Sequence, residues 1–130
     1  MKPLSLTLFA IAALAAASFA LAAPTSALQG SFTSTIKGKA PPLDGKWTLR
    51  LLPGTKFQTL RNGKVVVSGS GARTPTRITF TDAGGPYACA GNQKTGVYTW
   101  KLTGKVLTLK PVSDRCSGRR AILTSRLTRS

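Results

Sequence analysis

The amino-acid sequence predicts an all-β domain, a small antiparallel up-and-down β-barrel of about eight strands. From Leu28 onward, apolar and polar residues alternate with a period of two, as they do in half-buried strands. Turn-forming residues interrupt this alternation at short intervals, which favours hairpins between consecutive strands. The same part of the chain lacks a convincing 3.6-residue period, so helix should be minor. Eight strands are enough to close a barrel, and an open or sandwiched sheet is the alternative.

The first strand is predicted over residues 29–38, where Phe32 and Ile36 share one face. A connector over 38–45 follows it, because the two adjacent prolines of this segment cannot donate hydrogen bonds to a sheet ladder. The second strand is predicted over 47–51, where tryptophan and leucine alternate with polar residues.

A hairpin is the strongest local signal in the chain. The dipeptide Asn62-Gly63 favours a two-residue turn between strands predicted over 56–61 and 64–68. A tight turn over 52–55 precedes this hairpin, and the Gly/Ser-rich residues 68–71 are expected to end its second strand.

Four further strands are predicted in the second half of the chain, each with alternating apolar residues. They cover residues 76–81, 97–102, 106–112 and 119–128. A glycine-rich segment over 82–94 forms the longest loop, between the first two of these strands.

The N-terminus has the pattern of a signal peptide. A short basic leader, Met1-Lys2, precedes an apolar run over residues 4–21, and small residues at Ala20 and Ala22 suit signal peptidase. We therefore expect a signal peptide over residues 1–22.

Cleavage after Ala22 leaves one domain over residues 23–130, secreted or periplasmic, with 18 basic and 3 acidic residues. Cleavage after Ala27 is a second possibility. An uncleaved membrane anchor is the third, since the apolar run approaches the length that spans a bilayer.

The two cysteines, Cys89 and Cys116, are predicted to form a disulfide. An isolated pair in an oxidising compartment usually bridges, and the chain has no third cysteine to compete. A metal-binding or redox role is the weaker interpretation, because no His and no further Cys accompany the pair.

The charged residues argue against an enzyme. The chain has 19 Lys and Arg against 3 Asp and Glu, no His, and a formal net charge of +16. His-based triads, acid/base carboxylate pairs and His/carboxylate metal sites therefore lack their usual residues. We expect no catalytic residue, no cofactor and no metal. Asp114-Arg115 beside Cys116 is the most suggestive cluster, and a turn-capping aspartate explains it without catalysis.

The excess of positive charge points to anionic partners of many kinds. The basic residues are scattered along the chain. Proteins that recognise bases in a nucleic-acid groove normally carry a basic helix or a basic stripe, so we expect no sequence-specific nucleic-acid recognition. Attachment to anionic extracellular polymers or to an anionic membrane or envelope surface is an alternative function for the protein.

Three motifs resemble small secreted bacterial lipocalin-like domains of the calycin type. They are Gly45-Lys46-Trp47, the segment Gly96-Val97-Tyr98-Thr99-Trp100, and Asp114-Arg115-Cys116 with Arg119 three residues later. The resemblance spans about residues 43 to 128. It implies a β-barrel more firmly than it implies a function. The strand predicted ahead of the Gly-x-Trp motif is not standard for lipocalins, so it is expected either as an added edge strand or as one that displaces the barrel order.

The resemblance also implies a structural role for Trp47 and Arg119. In lipocalin-like barrels an arginine lies across the tryptophan ring at the closed end, and such a stack contributes about 0.5 to 2 kcal/mol. The alternative is that Arg119 and its neighbour Arg120 are solvated surface charges.

Six inward-facing residues are candidates for an apolar ligand pocket: Leu49, Phe57, Ile78, Phe80, Tyr98 and Trp100. The alternative is that they simply fill the barrel, as alternating strand aromatics usually do. The function that we favour is a monomeric, non-enzymatic binding module that holds a small apolar or amphipathic ligand, which enters near the loop over 82–94.

Overall fold

A computed structural model describes residues 28–130 of the chain. The predicted signal peptide over residues 1–22 lies outside the described residues, as do the possible cleavage positions Ala22 and Ala27. The domain predicted over 23–130 is therefore described from Leu28 onward. Within the described part of the chain, no helix is long and apolar enough to cross a membrane.

The described residues form a closed barrel of eight antiparallel strands, in which every strand pairs with its neighbours in chain order. This confirms the predicted all-β up-and-down barrel. The strands are β1 Gly30–Ile36, β2 Gly45–Leu51, β3 Lys56–Arg61, β4 Lys64–Arg73, β5 Arg77–Gly84, β6 Thr95–Thr103, β7 Val106–Ser113 and β8 Leu127–Arg129. One helix, α1 Ser117–Leu123, and two short 3₁₀ turns, Pro41–Leu43 and Gly91–Gln93, complete the fold.

Strand β1 closes the barrel. It pairs with β2 along its whole length and with β8 at Phe32 and Thr33. The strand that precedes the motif Gly45-Lys46-Trp47 is therefore an integral strand of the barrel, and the motif begins the second strand.

The barrel interior is filled mainly by apolar side chains, which the alternation along each strand turns inward. The ring of Phe80 makes edge contacts with Phe57 at 5.0 Å and with Tyr98 at 5.8 Å between centroids. The largest fully buried side chains are those of Trp47, Tyr98, Phe32, Phe80, Leu28, Leu49, Leu51, Ile78, Leu107 and Leu127.

The hairpin predicted at Asn62-Gly63 joins β3 to β4. Both residues have positive φ, 50° at Asn62 and 83° at Gly63, which is the backbone of a type I′ turn. The twist of this turn matches that of the flanking strands, so the dipeptide sets the pairs nearest to it, and a bulge between Thr59 and Leu60 shifts the register beyond them.

The Gly/Ser-rich residues 68–71 do not end a strand, as the sequence had indicated, because β4 continues through them to Arg73. The reason is close packing inside the barrel. A Cβ atom at Gly69 would lie 2.1 Å from the carbonyl oxygen of Thr81 and 3.0 Å from the Phe57 ring. Glycine at this position lets β4 approach β5 and the Phe57 ring.

The last strand, predicted over 119–128, is also wrong. Its first part is helix α1, and only Leu127–Arg129 forms β8. The helix buries Arg119, Ile122 and Leu123, which are three and four residues apart and therefore share one face. That face closes one end of the barrel.

The two ends of the barrel differ. The end that carries α1 and the connections over 37–44, 62–63, 85–94 and 114–126 is called here the helix end. The opposite end is tied together by Arg73, whose guanidinium donates to the carbonyl oxygens of Leu28 at 2.7 Å and Leu52 at 2.6 Å. Burial lowers the pKa of Arg73.

Candidate functional site

A pocket of about 120 Å³ lies at the helix end, under the buried face of α1. It extends from Leu43 and Tyr87 at its rim to Phe57 inside the barrel. Its other lining residues are Trp47, Thr59, Val67, Asp82, Cys89, Cys116, Gly118, Arg119, Ile122 and Leu123. The wall is therefore mainly apolar; its polar groups are one carboxylate, one guanidinium, the hydroxyls of Thr59 and Tyr87 and the indole N–H of Trp47.

Arg119 is the centre of the polar wall. Its side chain is 7% exposed, and its guanidinium donates to both oxygens of Asp114, from Nε at 2.8 Å and from Nη2 at 2.7 Å. The same group donates to the carbonyl oxygens of Lys94 at 3.0 Å and Gln93 at 2.8 Å. Helix α1 is thereby fastened to the loop over 85–94.

Asp114 accepts two further hydrogen bonds, from the hydroxyl of Tyr98 and from the backbone amide of Cys116 at 2.9 Å. Burial alone would raise the pKa of Asp114. The hydrogen bonds from Arg119, Tyr98 and Cys116, together with the charge of Arg119, outweigh burial and lower that pKa. Asp114 is therefore a buried carboxylate that its partners hold in the ionised form.

Asp82 is the second buried carboxylate. Its Oδ2 accepts the backbone amide of Cys89 at 2.8 Å, and its Oδ1 lies 3.2 Å from Nη1 of Arg119. Within residues 28–130, no group donates a hydrogen bond of good geometry to this Oδ1, although it is buried. The ion pair with Arg119 is thus its one favourable contact among the described residues.

The predicted disulfide between Cys89 and Cys116 is confirmed. Its Cα atoms are 6.3 Å apart, and it joins the loop over 85–94 to the residue before α1. Because the amide of Cys89 binds Asp82 and that of Cys116 binds Asp114, the disulfide also fixes the spacing of the two carboxylates.

A glycine makes room for this cluster. A Cβ atom at Gly96 would lie 2.6 Å from Cγ of Asp114 and 2.9 Å from Nη2 of Arg119. The glycine of the Gly-x-Tyr motif is therefore required by the ion pair, and the tyrosine of the same motif, Tyr98, donates to the carboxylate.

The rim of the pocket is aromatic. The ring of Tyr87, which is 49% exposed, meets the ring of Trp47 edge-on at 6.2 Å between centroids. Arg61 lies over both rings, 5.2 Å from the Trp47 centroid and 5.7 Å from that of Tyr87, and donates to the Tyr87 hydroxyl at 3.2 Å. These contacts hold Tyr87 beside the pocket.

The arginine that lies over Trp47 is thus Arg61, and the stack expected between Trp47 and Arg119 is replaced by this arrangement. Register explains the difference, since Arg61 of β3 is the direct cross-strand partner of Trp47 in β2. Arg119 instead binds Asp114 and Asp82, and shares with Trp47 the lining of the pocket. Arg119 is also not a solvated surface charge, whereas Arg120 is exposed.

The six residues predicted to line a ligand pocket are mostly core. Leu49, Ile78, Phe80 and Tyr98 are fully buried and fill the barrel. Phe57 alone of the six lines the helix-end pocket. Trp100 is partly buried and donates from its indole nitrogen to the carbonyl oxygen of Thr74 at 2.8 Å, near the opposite end.

Sequence reasoning missed the pocket residues Asp82 and Tyr87, and it missed Arg61, which lies over the rings of Trp47 and Tyr87. The signal that could have found Asp82 is its position, since it follows Ile78 and Phe80 at a spacing of two and therefore shares their inward face. Within residues 28–130, no group of three or more His, Cys, Asp and Glu side chains is placed to hold a metal ion.

The hydrogen bond between Tyr98 and Asp114 leads to a prediction at alkaline pH. Burial, with the hydrogen bond and the charge of Asp114, raises the pKa of Tyr98 above its ordinary value of 10.0. As the pH rises, the unfolded chain loses the tyrosine proton before the folded chain does. The contribution of Tyr98 to the free energy of unfolding is therefore fully present below pH 10 and falls above it, with a slope approaching about 1.4 kcal/mol per pH unit. Urea unfolding followed by circular dichroism measures this slope.

The matched variants are Tyr98→Phe and Tyr87→Phe. Tyr98→Phe should flatten the alkaline loss of stability, because the titrating hydroxyl is gone, whereas Tyr87→Phe should retain it. Equal slopes in the wild-type chain and in Tyr98→Phe would contradict the assignment.

Comparisons of the chain with protein-family models, with curated proteins and with solved structures found no match. Function is therefore inferred from the barrel and from the geometry of the helix-end pocket.

Proposed function

We propose that the protein is a secreted, non-enzymatic binding module that holds a small apolar or amphipathic ligand in the helix-end pocket. The observation that carries this proposal is the pocket itself. An apolar cleft reaches into an otherwise filled barrel, and a few convergent polar groups lie on one of its walls. Such a combination is typical of small-molecule binding sites.

The size of the pocket limits the ligand. A volume of about 120 Å³ is close to that of apolar protein cavities, roughly 150 Å³, that admit one benzene molecule. Most drug-sized ligands need about 300 Å³ or more. We infer a ligand whose buried part is about one small ring or one short alkyl chain.

A lipocalin-like identity is part of the proposal. The closed eight-stranded antiparallel barrel supports it, and so does the structural use of the motif residues Trp47, Gly96, Tyr98 and Asp114. Secretion to an oxidising compartment is supported by the disulfide, and we propose that the domain acts as a monomer.

The test is ligand binding by a chain whose pocket has been filled. Val67 lines the pocket and is buried, whereas Val65, on the same strand, is 44% exposed. Val67→Phe should weaken binding of benzyl alcohol by about tenfold or more, because the ring occupies the cavity, and Val65→Phe should leave the affinity within about twofold.

Tryptophan fluorescence supplies the measurement. Trp47 lines the pocket and Trp100 does not, so a Trp100→Phe background leaves Trp47 as the single reporter. Saturable binding that is equal in the Val67→Phe and Val65→Phe chains would place the ligand outside this pocket and contradict the proposal.

A second function, attachment to an anionic surface, is favoured by the distribution of charge. Asp82 and Asp114 are buried with Arg119, while 13 of the 18 basic residues between 28 and 130 are exposed. Titrations with benzyl alcohol and with a polyanion, each at low and at high salt, separate the two functions. Attachment to polyanions weakens steeply as salt rises, and binding of benzyl alcohol in an apolar pocket does not.

A further inference from the structure

The charges of the buried cluster formed by Asp82, Asp114 and Arg119 do not balance. Asp82 and Asp114 are both buried, and Arg119 is the one cationic side chain that binds either of them among residues 28–130. Two carboxylates beside one guanidinium leave an excess of one negative charge. Buried charges in proteins are normally paired, so this excess is an unusual feature of the cluster, of which Asp82 and Arg119 line the pocket.

The excess is located at Asp82. The donors of Arg119 are directed mainly to Asp114 and to the carbonyl oxygens of Gln93 and Lys94, and Nη1 reaches Oδ1 of Asp82 only as an ion pair at 3.2 Å. This Oδ1 belongs to a side chain that is 2% exposed and that lines the pocket. A ligand with N–H donors would supply the hydrogen bond that Oδ1 lacks from residues 28–130.

The rest of the pocket suits the apolar part of such a ligand. Phe57, Val67, Ile122 and Leu123 form its walls and Trp47 lies at its rim, while the polar wall is confined to Asp82, Arg119 and Thr59. A carboxylate ligand would meet the negative excess at that wall, and a neutral ligand would leave it uncompensated.

We propose that the pocket selects a small primary amine, with a positively charged ammonium group on an apolar ring or short chain, and that Asp82 is its anchor. This inference rests on the proposed function, since it names the ligand class of the same pocket. The ammonium group donates to Oδ1 of Asp82 and completes a neutral set of two carboxylates and two cations.

The positive charge of the whole protein does not reverse this preference. Most of the exposed cations are solvated, and at physiological ionic strength their field is screened over about 8 Å. The carboxylate of Asp82 lines the pocket, and a charge-assisted hydrogen bond to it in a buried site is the larger effect.

The test uses three ligands with the same ring: benzylamine, benzyl alcohol and benzoate. Dissociation constants at neutral pH are measured by the fluorescence of Trp47 in the Trp100→Phe chain. Benzylamine should bind at least about tenfold more tightly than benzyl alcohol, with benzoate the weakest of the three. This comparison needs no variant at Asp82 and so does not depend on how such a variant folds.

Asp82→Asn then tests the anchor. The variant should bring benzylamine to within about threefold of benzyl alcohol, because the amide is neutral and nearly the same size. Asp44→Asn is the matched control, since Asp44 is a partly exposed acid outside the pocket lining, and it should leave the tenfold preference intact.

The outcomes separate this inference from the proposed function. If benzoate binds most tightly, Arg119 anchors an anion, and if the three ligands bind equally, the polar wall selects nothing. Either result overturns the amine proposal while the binding module stands. A preference for benzylamine that survives Asp82→Asn also overturns it. If none of the three binds saturably, the proposed function fails together with the inference.

Discussion

Replacing Arg119 with alanine is expected to lower the free energy of unfolding by about 3–5 kcal/mol, the cost of leaving buried carboxylates without their cation. The side chain is 7% exposed and binds Asp114 through two nitrogens, Asp82 through a third contact, and two backbone carbonyl oxygens. Thermal unfolding should show the loss as a fall in Tm of at least about 12 °C, given about 4 °C or more per kcal/mol in a domain of this size.

Arg120→Ala is the control for this experiment. Arg120 is the next residue of the same helix, and its side chain is exposed, so its replacement should change stability by no more than about 0.5 kcal/mol. Similar small effects of both substitutions would mean that Arg119 is a solvated surface charge. The buried cluster, and with it the polar wall of the pocket, would then be wrong.

Removal of the disulfide is expected to have the second largest effect. Cys89 and Cys116 are separated by 27 positions, and opening a loop of that length releases chain entropy equivalent to about 3.5 kcal/mol. The double variant Cys89→Ala with Cys116→Ala should therefore have a free energy of unfolding lower by about 3.5 kcal/mol, and it should unfold at a lower urea concentration. The urea dependence of its unfolding free energy should rise as well, since its unfolded state is less compact.

The wild-type chain after reduction is the comparison for the double variant. Both should show the same loss of stability, because both lack the same cross-link. The folded state should persist in each, since backbone hydrogen bonds from Tyr87 to Val66 and from Asp82 to Lys94 still anchor the loop. A loss below about 1 kcal/mol would show that the loop over 85–94 is held mainly by Arg119 and by these hydrogen bonds.

The strands could be predicted because their causes are local. The alternation of apolar and polar residues along a strand can be recognised from neighbouring residues alone. The turn at Asn62-Gly63 is likewise specified by the two residues that form it. The disulfide could be predicted from the count of cysteines and the expected compartment. These features fixed the barrel, although they did not fix which end of it contains a pocket.

The helix and the polar wall could not be predicted, because their causes are tertiary. Helix α1 has seven residues, so its spacing of Arg119, Ile122 and Leu123 covers too little sequence to distinguish a helix from a strand. The contact between Arg119 and Asp82 joins residues on α1 and β5, which only barrel closure brings together. The position of Arg61 over Trp47 likewise follows from the pairing of β2 with β3.

The central claim, that the helix-end pocket holds a small ligand, is tested most directly by an amide NMR titration of the chain with benzyl alcohol. Ligand binding in the pocket should cause saturable chemical-shift changes at the amides of Cys89, Cys116 and Gly118, which line it. Little change is expected at Thr74 and Lys105, near the opposite end. Shifts that do not saturate, or that saturate away from the helix end, would contradict the claim.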